Sequence, residues 1–278
     1  MKIKDTLIVI LSDMHSGGST ALAPGKLWRF DTDRNHTPTK KGLEVFDLFM
    51  ECAEYVKKNR KDKRVIIVHN GDAIEGYHHN TTQVLTPNNK EQREMHEDLM
   101  DTFMRAAGFD RRKGDELYYV NGTETHTGLH EKEIAKSLNA VPADNGEPVH
   151  ETLKLNVNGR VVWFFHHGKK RGGGANEGNA LRNYLREIYY HLNNRKQDVP
   201  DVCVSSHTHG MSWATFEVRQ EDDFIQMHGI ITPSWQRKTR YGHTVAPIDV
   251  NEIGATFLHI SAAGDIRKPH FVFKMFDA

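Results

Sequence analysis

The stretch that decides the fold is residues 6–15, TLIVILSDMH. Its first part, residues 6–12, is a continuous apolar run rich in Ile, Val and Leu, which is typical of a strand buried on both faces in an α/β sheet. Two polar side chains, Asp13 and His15, follow at once. The stretch therefore predicts a central strand that ends in residues able to carry chemistry.

The same pattern recurs along the first half of the chain. Apolar residues at helical spacing predict a helix over residues 43–56, and RVIIVH at 64–69 predicts a second buried strand. An amphipathic helix is expected at 90–107, and LYYVN at 117–121 is a third predicted strand. Strands that alternate with helices favour a βαβ construction.

The pattern changes after residue 150. Residues 152–157 and 160–166 alternate around Asn158-Gly159, a dipeptide that favours a tight type I′ hairpin. A helix is predicted at 176–194. Five further strands are predicted, at 202–206, 212–218, 224–232, 255–261 and 269–275. We expect this second half to be largely antiparallel.

The chain of 278 residues fits one large α/β domain or two small ones. The Pro- and Asn-rich segment 141–148 is a candidate linker, but each half alone would have too few strands for a covered sheet. We therefore predict one domain over residues 1–278, of the α/β (α+β) class. Its expected architecture is a sandwich of two mixed β-sheets flanked by helices.

Composition limits the classes of partner and the location. Lys+Arg and Asp+Glu both total 37, so no global field attracts nucleic acid or an anionic membrane, and an anionic substrate must be met locally. The two cysteines, Cys52 and Cys203, suit reduced buried thiols better than a disulfide. No signal peptide or membrane-spanning run is visible, so we expect a soluble, cytoplasmic protein without a membrane partner.

Polar motifs follow five of the predicted strands. They are Asp13-x-His15, Gly71-Asp72-x-x-Glu75, Gly122-Thr123-Glu124-Thr125-His126, His167-Gly168 and His207-Thr208-His209. Ligands of α/β sheets bind outside the carboxyl ends of the strands, so these motifs should converge at one edge of the fold. Carboxylates and neutral imidazoles suit Mn²⁺, Zn²⁺ and Fe²⁺, and there are enough of them for two ions.

Each motif alone has a plainer interpretation. Asp13 is also a common helix cap, Asp72 after glycine is an ordinary turn residue, and alternate histidines of a strand share a face without binding anything. The ordered conjunction of all five motifs favours metal binding over these separate explanations.

The order and spacing of the motifs over residues 7–210 resemble the calcineurin-like metallophosphoesterase superfamily, whose pattern is D-x-H, G-D-x-x-D, G-N-H-D/E, H and G-H-x-H. The resemblance implies an αββα sandwich and hydrolysis of a phosphate ester by a metal-bridging hydroxide. It implies two divalent ions, Mn²⁺ first, with Zn²⁺, Fe²⁺ or Ni²⁺ as alternatives. The implied ligands are Asp13, His15 and His209 for one ion, His167 and His207 for the other, and Asp72 between them.

Two positions depart from that family pattern. Glu75 stands where the family has Asp, in a supporting role. In the third motif no Asn occupies the usual ligand position, and Glu124 stands where the catalytic His is expected. Phage-type members of the family have a similar G-T-x-x-H pattern. Our hypothesis is that His126 acts as the general acid and that Thr123, or else Glu124, replaces the Asn ligand.

Other candidates surround these motifs. His166 and His167 are neighbours in a strand and should face opposite ways, so we assign only His167 as a ligand. His79, beside His78, is either a solvated loop residue or a substrate contact. Lys169, Lys170 and Arg171 precede three glycines and form either a basic lip for substrate phosphates or a surface loop.

A second basic cluster lies at residues 237–240, where Trp235 or Tyr241 is a candidate to stack on a base. The predicted substrate is therefore a phosphate ester of a nucleotide or nucleic acid, cleaved as a phosphodiester or in a nuclease-like reaction. Protein phosphatase and small phosphomonoesterase activities stay open. Two rival hypotheses of other classes remain: a metal-binding or nucleic-acid-binding scaffold of this fold that has lost catalysis, and a hydrolase with one metal that cleaves another kind of bond. The sequence does not indicate an oligomeric state.

Overall fold

Two five-stranded mixed β-sheets form the centre of the computed structural model, which describes residues 3–31, 34–77, 82–168, 178–220, 223–240 and 251–276. The strands are β1 (Thr6–Leu11), β2 (Trp28–Arg29), β3 (Asn35–His36), β4 (Arg64–Asn70), β5 (Glu116–Val120), β6 (Leu153–Val157), β7 (Arg160–His167), β8 (Val202–Ser206), β9 (Ser212–Gln220), β10 (Asp223–Ile231), β11 (Glu252–Ile260) and β12 (His270–Met275). The helices are α1 (Lys40–Arg60), α2 (Asn89–Ala107), α3 (Glu124–Thr127), α4 (His130–Ser137) and α5 (Asn179–Asn193), with one 3-10 turn at Arg111–Lys113.

The first sheet has the order β12-β11-β1-β4-β5 and the second has the order β6-β7-β8-β10-β9, while β2 and β3 form a separate small hairpin. Strands β1, β4 and β5 are parallel; β11 pairs antiparallel with β1, and β12 pairs antiparallel with β11. In the second sheet β7, β8 and β10 are parallel, and only β6 and β9 are antiparallel to their neighbours.

Four of the six described pairings of β6 to β12 are antiparallel, as expected, and the two pairings of β8, with β7 and with β10, are parallel. Helix α5 lies between β7 and β8 in the chain and returns it to the starting end of the sheet. A crossover of this kind makes the next strand parallel to the one before it. The chain also returns to the first sheet, where β11 pairs with β1.

Alternation along β1 explains the layers. Leu7, Val9 and Leu11 pack in the apolar cluster formed with α1 and α2, whereas Ile8 and Ile10 pack in the cluster between the two sheets. Helix α5 covers the other face of the second sheet, where its buried residues meet Cys203 and Met227. The predicted sandwich of two mixed sheets flanked by helices is confirmed.

Side-chain caps determine where two helices begin, and positive φ values at two residues form the hairpin turn. The Thr39 side chain accepts a hydrogen bond from Gly42 N at 3.1 Å and begins α1, and Asn88 caps α2 in the same way. Asn158 and Gly159 have φ values of 54° and 83°, as a type I′ hairpin requires. Cys52 and Cys203 are buried and free, as expected for reduced thiols.

Among the described residues, no helix combines the length and the apolar character needed to cross a bilayer.

Candidate metal centre

The polar motifs meet at the carboxyl ends of the parallel strands of both sheets. Asp13 follows β1, Asp72 follows β4 and Thr123 follows β5, so the first sheet contributes three loops. His167 ends β7 and His207 follows β8, so the second sheet contributes two more. Residues separated by almost 200 positions in the chain therefore lie together because parallel strands end at the same edge.

The backbone is strained at these loops. Nine non-glycine residues of the described part of the chain have positive φ, and five of them belong to the predicted motifs: Asp13, His15, Asp72, His207 and His209. A residue in this region costs roughly 1–3 kcal/mol and persists where its surroundings hold it. Asp13 N donates to Gly71 O at 2.9 Å and His15 N donates to Asp72 O at 3.0 Å, so the two loops hold each other.

Asp72 lies at the centre of the cluster and is 1% exposed. Its Oδ2 atom lies 3.0 Å from His166 Nε2, 3.8 Å from His15 Nε2 and 3.9 Å from His207 Nδ1. Its Oδ1 atom accepts a hydrogen bond from Thr123 N at 2.7 Å. One carboxylate thus faces three imidazoles that belong to the loop after β1, the end of β7 and the loop after β8.

A second group surrounds Asp13. Its Oδ1 atom lies 3.5 Å from His209 Nε2, and His209 Nε2 lies 3.2 Å from His15 Nε2. Asp13 Oδ1 is buried and has no hydrogen-bond partner. A buried oxygen without a hydrogen bond is costly, and imidazole nitrogens that converge on it are the donor set of a divalent cation. The residues therefore fit a metal ion.

Among the described residues, four overlapping groups have ligand atoms that lie within 4.8 Å of one another. They are Asp13, His15 and His209; Asp13, Asp72, His166 and His207; His166, His167 and His207; and His15, Glu75 and His126. The first two groups share Asp13, and His207 joins the second to the third. Adjacent groups with shared members are what a pair of neighbouring ions requires.

The carboxylates and imidazoles of the cluster shift the pKa values of one another. Burial alone would raise the pKa of Asp13, but the His209 ring, 3.5 Å from Oδ1, and the charge of His166 lower it to about 2. Burial alone would lower the pKa of His15, but the Glu75 carboxylate, 3.2 Å from Nδ1, raises it to about 9. The carboxylates of the cluster therefore favour the charged form of the imidazoles beside them.

The third motif begins helix α3. Thr123 precedes this helix, and its Oγ1 lies 3.3 Å from Asp72 Oδ2 and 3.4 Å from His166 Nε2, so this side chain reaches the cluster. Glu124 is exposed. His126 Nδ1 lies 2.8 Å from Glu75 O, and its ring centroid lies 4.8 Å from that of His15. His126 is thus at the edge of the cluster.

The structure brings both members of the His166-His167 pair to the cluster. Phe164 pairs with Val204 and His167 pairs with Ser206, so two residues of β7 oppose one residue of β8. Such a bulge interrupts the alternation on which the choice of a single histidine rested. His166 is the buried member, and the ring centroid of exposed His167 lies 4.5 Å from that of His207.

His166 was missed as a candidate by the alternation argument. Its Nδ1 lies 2.9 Å from Asn70 O, so Nδ1–H donates to this carbonyl and Nε2 is directed at Asp72. The glycine of the second motif leaves room for this ring, because a Cβ at Gly71 would lie 2.3 Å from His166 Nδ1. The sequence alone gives no reason to connect those two positions.

Two further buried residues were also missed. Glu131 on α4 accepts hydrogen bonds from Ala73 N and Gly122 N, and so joins the loops that carry Asp72 and Thr123. Gln236 donates to Glu75 Oε2. Both residues lie far in sequence from the motifs that they contact, so spacing could not indicate them.

The remaining candidate residues lie in the core or outside the described part of the chain. Trp235 is wholly buried and its ring centroid lies 5.1 Å from that of Phe49, so the hypothesis that it stacks on a base was wrong. His79, Tyr241 and the basic cluster Lys169, Lys170 and Arg171 lie outside the described residues.

Neither the family models nor the curated proteins include a match to this chain. A solved structure from Streptococcus pneumoniae TIGR4, described as a predicted phosphoesterase, is 9% identical with a TM-score of 0.32, over 96% of this chain and 98% of that one. A 5'-nucleotidase from Candida albicans SC5314 is 11% identical with a TM-score of 0.36, over 94% of this chain and 48% of that one. This chain thus spans about half the length of the nucleotidase.

Proposed function

We propose that the protein is a hydrolase of phosphate esters that uses two divalent metal ions. One observation carries the proposal: Asp72 Oδ2 lies within 3.9 Å of ring nitrogens of His15, His166 and His207. The buried Asp13 Oδ1 without a hydrogen-bond partner supports it, since a cation is the partner that this oxygen and its imidazole neighbours suit.

The proposed ligands follow the overlapping groups. Asp13, His15 and His209 would hold one ion, and Asp72 would lie between the two ions. The second ion would take His207 and His167, with Thr123 replacing the missing Asn and His166 as an added candidate. Two bound ions would make a water nucleophilic near neutral pH and would offset charge on the phosphoryl oxygens. Mn²⁺ is the proposed metal.

His126 is the proposed general acid. Glu75 O accepts a hydrogen bond from His126 Nδ1, which fixes the plane of the ring beside His15. When the ring is protonated at both nitrogens, Nε2 is then the atom that would deliver a proton to the leaving-group oxygen, leaving the neutral ring with its proton on Nδ1. Such a positioned acid accelerates departure of a poor leaving group by about 10²–10⁴-fold.

The proposed substrate is a phosphodiester of a nucleotide or nucleic acid. The basic cluster 237–240 follows Gln236, whose side chain contacts Glu75 in the site, and this closeness in the chain supports a substrate that carries phosphate charge. Zero net charge disfavours a long duplex footprint and favours a short or single-stranded substrate.

The test combines metal analysis with a panel of esters. Protein stripped with a chelator and reloaded with Mn²⁺ is analysed for metal content and then assayed on bis-nitrophenyl phosphate and on nitrophenyl phosphate. Two ions per chain and release of nitrophenol from the diester are the expected result. Protein that binds no divalent ion overturns the proposal.

Two other outcomes support the rival hypotheses. Two bound ions without turnover of any ester, across several metals, indicate a metal-stabilised scaffold; the altered third motif, in which Thr123 stands near Asp72, is the feature that favours it. One ion per chain with turnover indicates a hydrolase with a single metal.

A further inference from the structure

We propose that Gln236 is a positioning residue that orients His15 for metal binding by holding the carboxylate of Glu75. This inference rests on the proposed metal pair, and it assigns a role to a residue outside all five motifs. It predicts that binding of one of the two ions depends on a side-chain amide in the segment after β10.

The contacts form a short chain from Gln236 to the metal cluster. Gln236 Nε2 donates to Glu75 Oε2 at 2.6 Å, and the same Oε2 atom lies 3.2 Å from His15 Nδ1. The other ring nitrogen of His15, Nε2, faces His209 Nε2 at 3.2 Å. A histidine that binds metal through one nitrogen is oriented by the bond that its other nitrogen makes. Glu75 is the ion-pair partner of that other nitrogen, and Gln236 holds the Glu75 carboxylate in place.

The backbone around Gln236 is held on both sides. Trp235 N donates to Asp13 O at 3.0 Å, and Arg237 N donates to Thr20 O at 3.0 Å. The Trp235 side chain is wholly buried against Phe49. The segment is therefore anchored to the loop that carries Asp13 and His15, and the amide of Gln236 has a defined position relative to His15.

The local chemistry favours an uncharged donor at this position. Glu75 and Gln236 are 6% and 3% exposed, so water cannot replace the hydrogen bond between them. Glutamate at 236 would place a second carboxylate against Glu75 without a donor. Methionine keeps a similar length and volume but donates nothing, so Gln236→Met removes the hydrogen bond with little change in packing.

Titration calorimetry of chelator-stripped protein with Mn²⁺ tests the inference. Gln236→Met is expected to bind one of the two ions roughly 10–100-fold more weakly and the other with wild-type affinity. The matched control is Gln226→Met, since Gln226 also donates to a glutamate, Glu217, but does so on the exposed surface of β10. Its two affinities should equal those of the wild type.

A double-mutant comparison separates positioning from a general loss of stability. In a Glu75→Gln background, adding Gln236→Met should change neither affinity further, because the carboxylate through which Gln236 acts is gone. Additive losses overturn the inference. So does wild-type affinity for both ions in Gln236→Met, or in Gln236→Asn if the methionine variant does not fold. Wild-type protein that binds no metal instead overturns the proposed function.

Discussion

Asp72 Oδ2 lies 3.0 Å from Nε2 of His166, a residue of the other sheet. Both side chains are buried, and His166 Nδ1 is fixed by Asn70 O at 2.9 Å. This contact joins the loop after β4 to the end of β7. Because the two sheets meet there, the positions of the proposed ligands depend on how one sheet packs on the other.

Asp72→Asn is expected to lower the affinity for both ions, by roughly 10–100-fold each, because the carboxylate lies between the two groups of imidazoles.

His209→Ala should lower mainly the affinity for the ion near Asp13, since His209 contacts Asp13 and His15. Metal content after dialysis against a range of Mn²⁺ concentrations measures both variants. Equal loss of both ions in His209→Ala would contradict the assignment.

A comparison of His166→Ala with His167→Ala shows which histidine of the pair contributes more to binding of the second ion. His166 is buried against Asp72, whereas His167 is exposed beside His207. We expect His166→Ala to lower the affinity for the second ion more than His167→Ala does. Calorimetric titration with Mn²⁺ measures this. Circular dichroism controls for folding, because loss of a buried imidazole leaves a cavity and removes one of the hydrogen bonds that Asn70 O accepts.

His126→Ala is expected to reduce turnover of a diester with a poor leaving group by about 10²–10⁴-fold. Turnover of a nitrophenyl ester should fall much less, because nitrophenolate leaves without a proton. Metal content should stay at the wild-type value, since the proposed role of His126 is proton transfer. Equal losses on both substrates would show that His126 does not act as the general acid.

Both cysteines should be unreactive in the folded protein. Burial raises the pKa of the Cys203 thiol to about 12 and raises that of Cys52 still further. Titration with a disulfide reagent at pH 8 should detect no thiol in native protein and two after denaturation. Two thiols that react rapidly under native conditions would contradict the buried positions.

The sequence predicts the elements because their signals are local. The apolar run that ends before Asp13 is recognisable as a buried strand, the Asn158-Gly159 turn requires positive φ at two neighbouring residues, and both features occur where they are expected. The positions of the polar motifs at strand ends follow from the same local patterns. Ordered motifs after buried strands were therefore enough to predict the sandwich and a candidate metal site.

Only the tertiary structure decides how these elements combine. Three features connect residues that are far apart in the chain. They are the pairing of β11 with β1, the bulge that brings both His166 and His167 to the cluster, and the contact of Gln236 with Glu75. Hydrophobic periodicity shows which face of a strand is buried, but strand neighbours, register and long-range hydrogen bonds are determined by packing of the whole chain. The residues that orient the proposed ligands are therefore visible only in the folded protein.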